Sequence, residues 1–102
     1  MEKYPYLAEA ISEVVEMIRK KRHLSKSALA ELAGVDRNYL LGVIQGKKGP
    51  TVNAIFFFCE ALHVHPANFM QLVADAVGRK REEKGDTAED LLSPLPVKRY
   101  SP

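Results

Sequence analysis

Apolar side chains recur along this chain at helical spacing. Leu7, Ile11, Val14 and Ile18 follow one another at steps of four, three and four, with Glu9, Glu13 and Glu16 on other faces of the same cylinder. The spacing predicts a first helix from Leu7 to Arg22, with its acids early and its bases late, as the helix dipole favours. Ser25 suits the N-cap of a short helix over Lys26–Ala33, which Gly34 stops. Asp36 is placed to cap a third helix, Arg37–Gln45, closed by Gly46. Lys47, Lys48, Gly49 and Pro50 read as a loop. Thr51 then caps a fourth helix reaching Leu62, and Pro66 fits the first turn of a fifth, which reaches Val77 before Gly78. No segment alternates apolar and polar residues as a half-buried strand would, and no internal repeat is present.

Beyond Arg79 the periodicity gives way to charged residues and then Ser93, Pro94 and Pro96. The chain therefore divides into a compact, all-α, five-helix domain over residues 1–78 and a tail over 79–102. The tail is expected to be flexible, with Arg79–Lys84 able to prolong the fifth helix. A hydrophobic share of 46% over 102 residues supplies one ordinary core. One cysteine excludes an intramolecular disulfide framework. Met1–Tyr6 lacks the apolar run of a signal peptide, and the longest apolar stretch, Ala54–Cys59, is far short of the ~20 residues a membrane span requires. These features predict a soluble, cytoplasmic protein without a membrane contact.

Net charge is informative only once it is divided. Residues 19–48 hold eight basic side chains (Arg19, Lys20, Lys21, Arg22, Lys26, Arg37, Lys47, Lys48) against Glu31 and Asp36, which makes that segment +6. The remainder is −4. Such local concentration points to a polyanion contact, the alternative being a solvated lysine-rich face.

The same segment carries a distinctive helical pair. Leu29 and Ala30 face inward, the small residue at 30 letting the next helix cross closely, and Gly34 supplies the turn. Val35, Leu40 and Val43 bury the inner face of the following helix, which leaves Arg37, Asn38, Leu41, Gly42 and Gln45 outward. Polar side chains on an exposed helix beside lysines suit the major groove of DNA.

The stretches Lys26–Leu40, Gly46–Pro50 and Cys59–Val64 are similar to the Cro/repressor-type (XRE, lambda-repressor-like) helix-turn-helix family, a resemblance running from Ile18 to Phe69. It implies a lambda-repressor-like fold, here with an N-terminally extended first helix, that binds double-stranded DNA. Arg37 and Asn38 stand where the family touches base edges, and their chemistry agrees: arginine can grip guanine O6 and N7, asparagine adenine N6 and N7. Gly42 stands where a third reading side chain is frequent. Leu41 is either a contact to a thymine methyl or an incidental exposed leucine. Lys26 matches a backbone-anchoring position usually held by glutamine, and Gln45, Lys47 and Lys48 match the opposite phosphate flank, the alternative for the two lysines being a solvated loop. Family members commonly join helix one to helix three by a buried Arg–Glu pair. Arg19 occupies the arginine position but Ile44 the glutamate's, so Arg19 is expected to swing outward and join the phosphate contacts.

Other signals are weaker. Cys59, His63 and His65 have a spacing that invites a metal, yet three ligands without a fourth make a structural zinc site a poor reading. Cys59 reads first as a small core residue, His63 as a substitute for the family's usual helix-ending glycine, and His65 as a cap before Pro66. No nucleophile–base pair suggests an enzyme, and no cofactor or small-molecule ligand is indicated. Phe56, Phe57 and Phe58 span about 200° of helix and cannot all meet one neighbour. Phe57 is therefore covered either by the extension Tyr4–Leu7 or by a second subunit. A homodimer is preferred, with Phe69, Val73, Ala76 and Val77 as the other candidate surface, the alternative being an extended monomer core.

Two functions follow. The first is a sequence-specific transcriptional regulator, expected to be a repressor. The second is a protein-interaction module of antirepressor or toxin-partner type, docking through the aromatic face and Leu91–Val97. The +6 segment favours the first.

Overall fold

A computed structural model describes residues 2–85. Five helices follow in the predicted order: α1 (Leu7–Lys21), α2 (Lys26–Ala33), α3 (Arg37–Ile44), α4 (Val52–Leu62) and α5 (Pro66–Glu83). Most boundaries are set by their neighbours in sequence. Ser25 Oγ accepts the Ala28 amide at 3.0 Å and Thr51 Oγ1 that of Ala54 at 3.1 Å, each satisfying an otherwise unpaired first-turn donor. Gly34 ends α2 at φ +69, and Pro66 opens α5. Asp36 has the backbone of an N-cap but its carboxylate accepts no capping bond.

The α1–α2 corner closes through a left-handed residue, His23 (φ 57), whose successor Leu24 donates its amide back to the Arg19 carbonyl at 3.1 Å. Beside it Arg22 caps the end of α4, donating to the carbonyls of Leu62 and His63 at 3.0 Å each. Helix α1 packs along α3 and α5, α2 against α3 and α4, and α4 against α5. Their inward faces form one core around Phe58, Phe69, Leu29, Leu40 and Leu62.

One expectation is corrected here. Phe69, Val73, Ala76 and Val77 are sealed inside this core, against the chain's own helices, and offer no surface to a second subunit. Helix α5 runs straight through Gly78 for five further residues, taking the prolongation over Arg79–Lys84 that the sequence leaves open. The added turns are tied to the chain's beginning: Glu13 receives Arg79 at 2.5 Å and Lys80 at 2.9 Å. Arg81, itself buried, donates to the Tyr4 hydroxyl at 2.6 Å with its guanidinium 5.4 Å from the Tyr4 ring centre. Tertiary contacts thereby offset the roughly 1 kcal/mol helix penalty of a glycine. They also draw the N-terminal extension onto α5 and leave Phe57 uncovered. The tail beyond Gly85, including Leu91–Val97, lies outside the described residues. Among the described residues no helix is long and apolar enough to cross a membrane.

Candidate nucleic-acid interface

Helix α3 presents its polar face as the periodicity predicts. At 100° per residue, Asn38, Leu41, Gly42 and Gln45 share an arc of about 100° opposite the fully buried Leu40 and Val43. Arg37, Asn38 and Gln45 are exposed, and Leu41 and Gly42 are half-buried. The helix is held from behind: Ser12 Oγ donates to the Ile44 carbonyl, fixing its last turn on α1. Gly46, at φ +72, turns the chain away. The backbone at that turn passes close to Glu9, whose Cα lies 3.8 Å from the point where a Gly46 Cβ would stand.

The loop after α3 returns onto the helix. The amides of Lys47 and Lys48 both donate to the Gly42 carbonyl, at 3.0 and 3.2 Å. The Lys48 side chain then lies along the glycine, its Cβ, Cδ and Cε 3.6–3.7 Å from where a Gly42 Cβ would be. Its ammonium sits 5.6 Å from the centre of the Tyr39 ring, which is in turn stacked on Phe58 at 6.4 Å and 23°. Tyr39 as a platform is not evident in the sequence, where eight residues separate it from Lys48 across a loop with no periodicity. Lys47 is exposed.

Arg19 departs from expectation. Its side chain is only 12% exposed, and its guanidinium forks onto Glu16, Nε to Oε2 at 2.5 Å and Nη2 to Oε1 at 3.2 Å, while Nη1 donates to the Leu24 carbonyl at 2.7 Å. The acid missing from position 44 is replaced by one a single turn earlier on the same helix, so Arg19 does not swing outward and is withdrawn from the phosphate set. The Arg19 guanidinium holds the Glu16 carboxyl below its usual range against the opposing effect of burial, and the neighbouring cations Lys26 and Lys20 add to the lowering. Lys20, Lys21, Lys26, Arg37, Lys47 and Lys48 form no ion pair among the described residues, so this part of the surface stays positive.

The remaining candidates resolve as framework. Cys59 is buried and its thiol is pushed up to about 11 by that burial. His63 ends α4 in a left-handed conformation, φ 55. His65 caps α5, its Nδ1 accepting the Ala67 amide at 3.0 Å. Among the described residues no three His, Cys, Asp or Glu side chains are grouped to hold a metal ion. On α4, Phe57 is 48% and Phe56 58% exposed, with Val52 one turn before Phe56 exposed as well.

Comparison with known proteins matches the helix-turn-helix family over residues 15–69. Among solved structures, the restriction-modification controller protein C.AhdI from Aeromonas hydrophila is similar at 29% identity, covering 65% of this chain and 98% of its own, with a TM-score of 0.60. The clp gene regulator ClgR from C. glutamicum is similar at 25% identity over 72% of this chain and 95% of its own, with a TM-score of 0.66. The controller protein C.Esp1396I, at 20% identity over 72% of this chain and 95% of its own, shares the fold with a TM-score of 0.66. That protein has also been solved as a tetramer in complex with its natural 35 base-pair operator. No curated protein matches the chain.

Proposed function

The chain belongs to the helix-turn-helix family, and from that premise we propose that it is a sequence-specific DNA-binding transcription regulator, acting as a repressor. The observation that carries this reading is the outward face of α3, where Arg37 and Asn38 stand exposed above a buried Leu40 and Val43. Their donors and acceptors match guanine and adenine edges in the major groove, and Leu41 beside them is suited to a thymine methyl. Lys26 at the start of α2 and Gln45 and Lys47 after α3 flank that face and contact phosphate, positioning the helix without reading sequence. C.AhdI and ClgR, named as a controller and a gene regulator, support the regulatory role.

A homodimer is part of the proposal. Phe56 and Phe57 leave apolar area in water on α4, and a two-fold pairing of that face removes it from water twice over. Such a dimer sets two α3 helices about 34 Å apart, matching half-sites one helical turn apart.

The test is in vitro selection of bound duplexes, followed by gel-shift titration across ionic strength. Affinity falls steeply with salt, because counterions released from phosphates drive binding. Arg37→Ala relaxes base preference at one position per half-site, whereas Lys47→Ala weakens all duplexes alike. Failure to bind any duplex at low salt refutes the regulator and leaves the protein-interaction module, for which the exposed phenylalanines are the docking surface.

A further inference from the structure

We infer that Lys48 reads a base, filling the place on the recognition surface that Gly42 leaves bare; the inference rests on the DNA-binding reading above. Position 42 lies at one edge of the exposed arc of α3, one turn after Asn38, and carries no side chain. The loop compensates. Two backbone amides, those of Lys47 and Lys48, are anchored on the Gly42 carbonyl, and the stem of Lys48 passes across position 42, its Cβ, Cδ and Cε 3.6–3.7 Å from the absent Cβ. A methyl group at 42 would still meet the stem at van der Waals distance, whereas a longer side chain would compete with it for the same surface.

The ammonium is positioned as well. It stands 5.6 Å from the Tyr39 ring centre, a distance suited to cation–π attraction, and Tyr39 is steadied by its stack on the fully buried Phe58. Lys47, one residue earlier, has no such seat among the described residues. Two adjacent, exposed lysines of the same loop are thus inequivalent: Lys48 is laid against α3 across Gly42 and Tyr39, and Lys47 has no such contact among the described residues.

An ammonium offers donors and no acceptor, so it selects a base edge carrying acceptors only. In the major groove guanine and thymine meet that condition, and guanine is preferred because it sets two acceptors, O6 and N7, side by side where thymine has O4 alone beside its methyl. The ligand is a guanine stacked next to the base read by Asn38. Arg37 sits on the opposite flank of the arc, so its guanine is a different one.

The test uses the full chain and the duplex enriched by in vitro selection. Each guanine is replaced singly by 7-deazaguanine, which removes the N7 acceptor, and each variant is titrated against the panel and against random duplex. The intact chain loses about tenfold in affinity at the guanine Lys48 reads. Lys48→Ala erases that discrimination and leaves the other positions unchanged, while Lys47→Ala lowers affinity for every duplex by one factor. Gly42→Gln displaces the lysine stem and makes a subsequent Lys48→Ala silent at that position. Equal loss on selected and random duplexes for Lys48→Ala, with selectivity intact at every guanine, overturns the inference and returns Lys48 to phosphate. That result leaves the DNA-binding reading standing, whereas no duplex binding by the intact chain defeats both.

Discussion

The Glu16–Arg19 pair separates the two accounts of Arg19 most sharply. Removing the acid leaves a largely buried guanidinium with the Leu24 carbonyl as its remaining acceptor in the corner. A hydrogen bond to a charged group contributes about 1.5–3 kcal/mol, and breaking a fully buried pair costs about 3–5 kcal/mol. Side-chain exposures of 12% and 21% put this pair between a surface and a sealed ion pair, so Glu16→Gln is expected to destabilise by about 2 kcal/mol. For a domain of this size that lowers Tm by about 8–16 °C. Arg19→Met keeps much of the packed stem, and the double-mutant cycle with Glu16→Gln isolates a coupling of about 1–2 kcal/mol, read from urea unfolding.

The pH dependence carries its own sign. The Glu16 carboxyl is more acidic folded than unfolded, because the Arg19 hydrogen bonds favour its charged form. Its stabilisation is therefore complete above the ordinary carboxyl value of 4.5 and lost as pH falls through the lower folded value. The stability gap between the intact chain and Glu16→Gln accordingly closes in acid. A coupling under about 0.5 kcal/mol, together with a salt slope for DNA binding reduced by about 0.9 in Arg19→Met, would show that Arg19 swings out to a phosphate and refute the reasoning.

Other outcomes follow from single observations. If the proposed homodimer forms, Phe57→Ser is expected to raise its dissociation constant about tenfold or more by sedimentation equilibrium, because two-fold symmetry counts the half-buried ring twice; an intact chain that sediments as a monomer refutes the homodimer, and an unchanged constant refutes this face as its interface. His63→Gly stabilises by about 0.5–1 kcal/mol in chemical unfolding, since a left-handed residue at φ 55 strains any side chain but relaxes with glycine; a loss of stability would mean the imidazole makes a contact worth more than that strain.

Most helix limits were legible because their causes are local. Ser25, Gly34, Thr51 and Pro66 act on residues within one turn, so the sequence window that contains them contains the physics. The end of α5 is legible only as an option, because what carries the helix through Gly78 is supplied by Tyr4 and Glu13, more than sixty residues earlier. The stripe Phe69, Val73, Val77 was visible as apolar, but periodicity gives only a face and not its partner. The choice between own chain and second subunit was made by α1, whose second apolar side, through Ala10 and Val15, lies buried in the same core.

The site divides in the same way. Arg37 and Asn38 follow from helical period alone, since Leu40 and Val43 must turn inward and thereby turn them outward. Arg19 was misread because resemblance supplied a partner at position 44 and drew attention from Glu16, three residues away on its own helix, where spacing permits the pair without help from α3. Lys48 is marked in the sequence as a phosphate contact, but its seat against Gly42 and Tyr39 is not: loops have no period, and that seat comes with a φ of +72 at Gly46 and two amides folded back to one carbonyl. Positions fixed by a repeating geometry are read from sequence, and positions fixed by a single turn are read only from structure. A recognition surface that combines both kinds therefore has one half predictable from its helix and the other half set by the loop that closes on it.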